Sequence, residues 1–310
     1  MKKKFLPFFI IFLFTFSYSY SQIPLDPSKR SSSYPFIAGD TFRAFCDFII
    51  DETQIPFDPN LVKNGNTIFL KHNKTFLDLF FKNIHPFIKN KYILITHNGL
   101  CRNLSPYIKY LNDKNIVAWL GKNVYLSHPK AQCIPVGIAN NHWSHGNTSI
   151  LRSIIENPLQ KDKLCYINFD LGPKHHYRNK IRRNVLKVFA NKKFCYKSKR
   201  KNFKEYIQDL SRSKFVVSPE GEGIDCHRTW ESILVGSIPI ISTSQLDPMF
   251  ENLPVLITKK WENITKEFLL KKYKEMSSKK YNLEKLYANF WFDKIIKIKK
   301  QIIQNESSKK

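Results

Sequence analysis

The residues best spaced for chemistry lie between Phe215 and Ile241. Arg228 and Glu231 stand three apart and so share a helix face, with His227 one turn before Glu231. A guanidinium can fork onto a diphosphate while a carboxylate one turn deeper accepts hydrogen bonds from ribose hydroxyls, which together make a nucleotide clamp. The same spacing suits an ordinary ion pair on a solvated helix, so the pair alone leaves both readings open. Just upstream, Gly221 and Gly223 permit positive φ and carry no Cβ, which lets a ligand approach the backbone. Asp225 is placed to cap a helix starting at Cys226 or His227. A helix start presents unpaired N–H groups and partial positive charge, and both suit a phosphate.

To hold such a clamp the segment must read as strand, glycine loop, helix, glycine stop and strand. A loop leaving the carboxyl end of a strand is where open α/β sheets bind ligands. The rest of the chain has the matching pattern. Short runs rich in Ile, Val, Tyr and Phe predict strands at 67–70, 92–96, 116–120, 132–135, 164–169, 194–196, 215–218, 238–241 and 255–257. Stretches long enough for crossover helices separate them, so the fold class is parallel α/β. Helices are predicted over Arg178 to Ala190, after the Asn202-x-x-Glu205 capping box, and from Asn282 to Ile303. The polar stretch Glu156 to Lys163 divides the strands into two groups. The predicted organisation is therefore a leader at 1–21, a first α/β domain at 22–158, a nucleotide-side domain at 159–265, and helices with a basic tail at 266–310.

The run Ser218-Pro-Glu-Gly-Glu-Gly-Ile-Asp-Cys-His-Arg-Thr-Trp-Glu231, with Leu234-Val-Gly-Ser-Ile-Pro-Ile240, resembles the signature of exostosin-type glycosyltransferases. The resemblance is tight over the C-terminal third and looser at Ile134-Pro-Val-Gly-Ile-Ala-Asn140 and Tyr166-Ile-Asn-Phe169. It implies a GT-B-like fold of two Rossmann-type domains facing across a cleft, a UDP-sugar co-substrate and no metal or other cofactor. It also implies that Glu231 holds the ribose while Arg228 with the Gly221/Gly223 loop faces the diphosphate, and that Ser218 and His227 belong to the nucleotide-sugar site. Arg178 and Lys174, after the first strand of the second domain, are further cations for the diphosphate; a solvated basic helix start would explain them equally. No Asp-x-Asp occurs in the chain, so fixed positive charge is expected to offset the leaving diphosphate.

The proton acceptor for transfer is not identified by any motif. Asp40 follows a glycine and precedes a helix, as a base or as a helix cap. His97 stands just past a strand end, as a site residue or as part of a turn. Trp143 and His145 suit the wall of an acceptor cleft, or a surface loop. His142, His145, His175 and His176 have no acidic or Cys partner at ligand spacing, so no metal site is expected.

The outer features set the context. Lys2, Lys3 and Lys4 precede an apolar run from Phe5 to Phe16 and small residues near Ser21, the layout of a secretory signal or a short anchor. Export to the cell exterior, periplasm or secretory lumen is expected, with possible association with a membrane. Six cysteines without a CxxC pair argue against a zinc ribbon or a disulfide scaffold. The net charge of +26 attracts anions, or reflects composition alone. The basic residues are scattered, which speaks against nucleic acid as a partner. The expected partners are a nucleotide-sugar donor and a glycan or glycolipid acceptor. A second reading keeps the fold without catalysis and binds acidic polysaccharide. The last helix packs on its own protein or lies on an anionic membrane surface.

Overall fold

The computed structural model describes residues 25–53, 57–172, 174 and 177–307. The leader expected at 1–21, together with His175 and His176, lies outside the described residues. In chain order the elements are α1 (Gly39–Phe45), β1 (Phe48–Ile50), β2 (Asn66–Lys71), α2 (Lys74–Leu79), β3 (Tyr92–His97), β4 (Ile116–Lys122), β5 (Ala131–Ile134), α3 (Thr148–Glu156), β6 (Lys163–Ile167), α4 (Tyr177–Phe189), β7 (Cys195–Lys197), α5 (Phe203–Ser211), β8 (Ser213–Val217), α6 (His227–Leu234), β9 (Ile238–Ser242), β10 (Leu256–Thr258), α7 (Lys266–Ser277) and α8 (Ala288–Ser307). They build an α/β architecture of two five-stranded sheets, ordered β1-β2-β3-β4-β5 and β10-β9-β8-β6-β7. All the pairings are parallel.

Strands buried on both faces must be apolar at successive positions, as the central strands β3 and β8 are at Tyr92 to Ile95 and Phe215 to Val217. In the first sheet Ile68, Leu70, Leu94 and Trp119 face one core with α2. Phe69, Ile93, Ile95 and Leu120 face a second core, shared with α1 and α8. The second sheet divides likewise: Cys165, Ile167, Phe215 and Val217 pack with Val185 and Phe189 of α4, while Tyr166 and Val216 pack with α5 and α6.

The two sheets differ in winding. The first runs in sequence order from edge to edge and so departs from the doubly wound order expected of a Rossmann-type domain. The second reverses between β6 and β8, with α4 and α5 on opposite faces. A crevice opens at such a reversal, at the carboxyl ends of the two strands. The clamp segment leaves β8 at that point.

The last helix crosses back onto the first domain. Trp291, Ile295 and Ile302 are buried in the shared core, Phe292 stacks on Phe45 of the segment ending α1 at 4.0 Å, and Lys299 pairs with Asp47 at 2.9 Å. Packing, not an exposed amphipathic face, accounts for its apolar stripe. Its start differs from the expected Asn282: Glu284–Leu286 form a separate 3-10 turn and the α-helix begins at Ala288. Tyr287, between them, makes an antiparallel bridge with Phe36. No helix among the described residues is long and apolar enough to cross a membrane, and all six cysteines are free thiols.

Candidate active site

The crevice between β6 and β8 is a cavity of about 690 Å³ whose lining includes Asn168, Phe169, Arg182, Tyr206, Arg228 and Glu231. Helical spacing explains the last two: α6 buries Trp230 and Ile233 in the core, which turns Arg228 and Glu231 toward the crevice. Arg228 Nε donates to the Asn168 carbonyl at 3.0 Å. From the other side Arg182 Nε donates to the Glu220 carbonyl at 3.0 Å, and its Nη1 donates to the Asp170 carbonyl. Both guanidinium groups lie 5.6 Å from the ring centre of Phe169. Two cations thus flank one aromatic ring, each anchored by backbone carbonyls.

Burial, with Arg228 and Arg178 close by and Asp170 opposing them, pulls the Arg182 pKa down to about 10. A concave site that gathers guanidinium groups favours an anion such as a diphosphate.

Glu231 sits at the inner wall, 3% exposed. Tyr206 on α5 donates its hydroxyl to Oε2 at 2.9 Å. Burial raises the Glu231 carboxyl to about 7, against the opposing pull of that bond and of Arg228. One oxygen is held by Tyr206, and Oε1 accepts no hydrogen bond among the described residues. An oriented carboxylate with a spare acceptor oxygen is suited to a ribose hydroxyl.

The glycine loop works differently from expectation. Neither Gly221 nor Gly223 has positive φ. A Cβ on Gly223 would fall 2.3 Å from the Asn123 amide nitrogen, and one on Gly221 would fall 3.1 Å from Arg182 Nη2. At Gly223 the close neighbour is therefore the first domain, not open space for a ligand. Asp225 does not cap α6, whose N-cap is Cys226 with no side-chain bond. Its carboxylate instead accepts from Trp230 Nε1 at 2.8 Å and from the Val136 backbone N–H at 2.7 Å. Ser218 is buried, its hydroxyl bonded to Thr229 at 3.0 Å, so it fastens the loop to α6 and does not line the crevice. Of the other cations, Lys174 is exposed in a turn outside the lining. Arg178 pairs with Glu222 at 3.6 Å. Arg182, one turn further along α4, is the residue that reaches the crevice.

A second cavity of about 440 Å³ adjoins the first at His145 and His227 and is lined from the first domain by Arg30, His97, Asn98, Lys122, His142 and Trp143, among others. Trp143 and His145 both line this cavity, their rings stacked at 6.0 Å. His97 is also here, but neither ring nitrogen is available. Nε2 contacts the Pro135 carbonyl at 3.1 Å and Nδ1 accepts the Asn98 N–H at 2.8 Å. Burial drives its pKa down to about 3, so it is not placed to act as a base. Asp40 is enclosed completely. Oδ1 accepts from Arg30 Nη2 at 2.6 Å and Asn98 Nδ2 at 2.7 Å; Oδ2 accepts from Arg30 Nε at 2.8 Å and meets His142 Nδ1 at 3.1 Å. It is the second residue of α1, whose N-cap is Ala38, so it neither caps the helix nor reaches a substrate. Burial opposes its charge, yet the bonds from His142, Arg30 and Asn98 hold its pKa below the usual carboxylate value.

A family model described as RXYLT1 C-terminal domain matches residues 176–307. The matched stretch contains Arg182, Tyr206, Arg228 and Glu231. It supports a glycosyltransferase-like chain and does not single out the exostosin type. No curated protein matches. Among solved structures, the UDP-GlcNAc 2-epimerase from Methanocaldococcus jannaschii is similar at 11% identity and a TM-score of 0.35, over 70% of this chain and 71% of that one. That likeness is too distant to inform substrate or chemistry.

Three of the residues that line the two cavities belong to no local motif. Arg182 and Tyr206 lie on faces of α4 and α5 that only the sheet order aims at the crevice. His142 is distinguished by its bond to a residue 102 positions earlier. Helical phase could have found Arg182, since it follows Arg178 by one turn.

Proposed function

We propose that the chain is a glycosyltransferase that moves a sugar from a UDP-linked donor to a glycan or glycolipid acceptor without a metal. The observation that carries this reading is the pair Arg182 and Arg228 about Phe169, with Glu231 behind them, at the reversal point of the second sheet. The diphosphate would lie against the two guanidinium groups and the ribose would bond to Glu231. As the bond from the sugar to the diphosphate breaks, negative charge grows on the leaving phosphate. Pre-placed cations stabilise that charge without reorganisation, the role a divalent ion plays elsewhere. The acceptor would enter from the first-domain cavity beside Trp143 and His145, since sugars pack on aromatic faces. Export is proposed from the leader-like N-terminus.

The test is a screen of UDP-sugars for release of UDP by the full chain, with water as the acceptor. UDP-xylose belongs in the panel because the matched family is xylosyltransferase-related. Turnover of at least one donor, abolished in Arg182→Ala, is expected. UDP binding with no donor split in any combination would favour the inactive reading, a polyanion-binding protein on the same fold.

A further inference from the structure

Resting on the donor-site reading, we infer that His142 is the general base that takes the proton from the acceptor hydroxyl, and that Asp40 positions it. His142 Nδ1 is 3.1 Å from Asp40 Oδ2. Asp40 is an ionised acceptor, so Nδ1 carries the hydrogen and the lone pair resides on Nε2, on the far side of the ring. Nε2 is buried and has no hydrogen-bond partner among the described residues, although the ring belongs to the wall of the first-domain cavity. A buried, unpartnered ring nitrogen is costly unless a ligand pairs with it. An imidazole held in one tautomer by a carboxylate is the arrangement by which hydroxyl groups are deprotonated elsewhere.

The other histidines of the cleft lack one part of this arrangement. His97 has both nitrogens engaged. His227 Nδ1 is 2.8 Å from the Gly137 carbonyl, with burial pushing its pKa down to about 4 and no carboxylate behind it. His145 is likewise lowered, first by burial and then by His142. Glu52 is tied to Arg30 and Lys71.

In the step, the acceptor oxygen bonds to the anomeric carbon as its proton passes to His142 Nε2. The bond from that carbon to the diphosphate breaks and its electron pair leaves with UDP. The positive charge gained by the ring is offset by Asp40, and the proton is later lost to solvent. A transfer in one displacement brings the acceptor oxygen in opposite the leaving group. The anomeric configuration is then inverted.

The experiment compares the full-length wild type, His142→Ala and His142→Gln, reading UDP affinity and UDP release from the donor found to turn over. UDP affinity in both variants should stay within about twofold of wild type, which also shows that they are folded. Release should fall about 100-fold or more, within the range that general bases contribute. Azide attacks without shedding a proton, so adding it should restore release in His142→Ala and yield the glycosyl azide of inverted configuration. Release within threefold of wild type in variants that bind UDP normally would overturn the base assignment and leave the donor site standing. So would a loss that azide does not restore, since a merely structural role is not bypassed by a nucleophile. Failure of the wild type to bind UDP, or to split any donor, would instead overturn the donor-site reading and this assignment with it.

Discussion

The carboxylate of Asp225 in the second domain accepts a hydrogen bond from the backbone N–H of Val136 in the first, 2.7 Å away and 89 positions earlier. Two more bonds cross at the same place. The Asp225 N–H donates to Asn123 Oδ1 at 3.1 Å, and His227 Nδ1 meets the Gly137 carbonyl at 2.8 Å. The loop proposed to carry the nucleotide clamp is thus also the clasp between the domains.

Asp225→Ala should strip the acceptor from two buried donors, Trp230 Nε1 and the Val136 N–H. Each unsatisfied buried donor costs about 1–3 kcal/mol, so a loss of roughly 2–5 kcal/mol is expected in urea denaturation. A loss under about 0.5 kcal/mol would show that the clasp contributes little.

Gly223→Ala and Gly221→Ala should separate the two roles of the loop. The first places a methyl against the Asn123 side chain, itself bonded to Asp225, and should lower Tm clearly. The second crowds the far end of Arg182 and makes an ordinary contact with Cys226 Cβ, so it should spare Tm and weaken UDP binding by shifting that guanidinium. Thermal melts and UDP titrations on both variants check this.

How much of this was legible in the sequence depends on where each residue's partner lies. The capping box at Asn202 is local, and its side chain does accept from the Glu205 N–H. The strands predicted from their apolar runs all form; in central strands such as β3, burial on both faces writes itself into consecutive residues. The three-residue edge strand β1 has no counterpart among the predicted strands. Asp225 was misread as a cap and Asp40 as a cap or a base because their true partners, Val136, Arg30, Asn98 and His142, are brought in by tertiary packing. Glycines were read as room for a ligand, whereas Gly223 makes room for Asn123.

Glu231→Gln should trade function for stability in a pH-dependent way. Burial raises the Glu231 carboxyl from 4.5 to about 7, so the folded state holds that proton more tightly than the unfolded chain does. The associated stability is fully present below about pH 4.5 and is lost as pH rises through about 7. Glutamine removes the ionisation while keeping an acceptor for Tyr206. The variant should match wild type in stability at pH 4.5 and exceed it at pH 8, by up to roughly 3 kcal/mol. Melts at the two pH values decide the sign; a variant less stable than wild type at pH 8 would contradict the burial argument.

Trp291→Ala should show whether α8 is part of the shared core. The ring is 2% exposed and its Nε1 donates to the Lys285 carbonyl at 3.0 Å. Truncation of a buried tryptophan costs about 3–5 kcal/mol. An unchanged denaturation midpoint would mean that the helix is not packed as described.

The most direct measurement is calorimetric titration of UDP into the wild type, Arg182→Ala and Glu231→Ala, without added metal. Saturable one-to-one binding by the wild type is expected, with affinity reduced at least about tenfold in each variant, as the loss of one charge-assisted contact implies. Equal affinity in all three proteins, or no binding by the wild type, would contradict the assignment of the crevice between β6 and β8 as the nucleotide site.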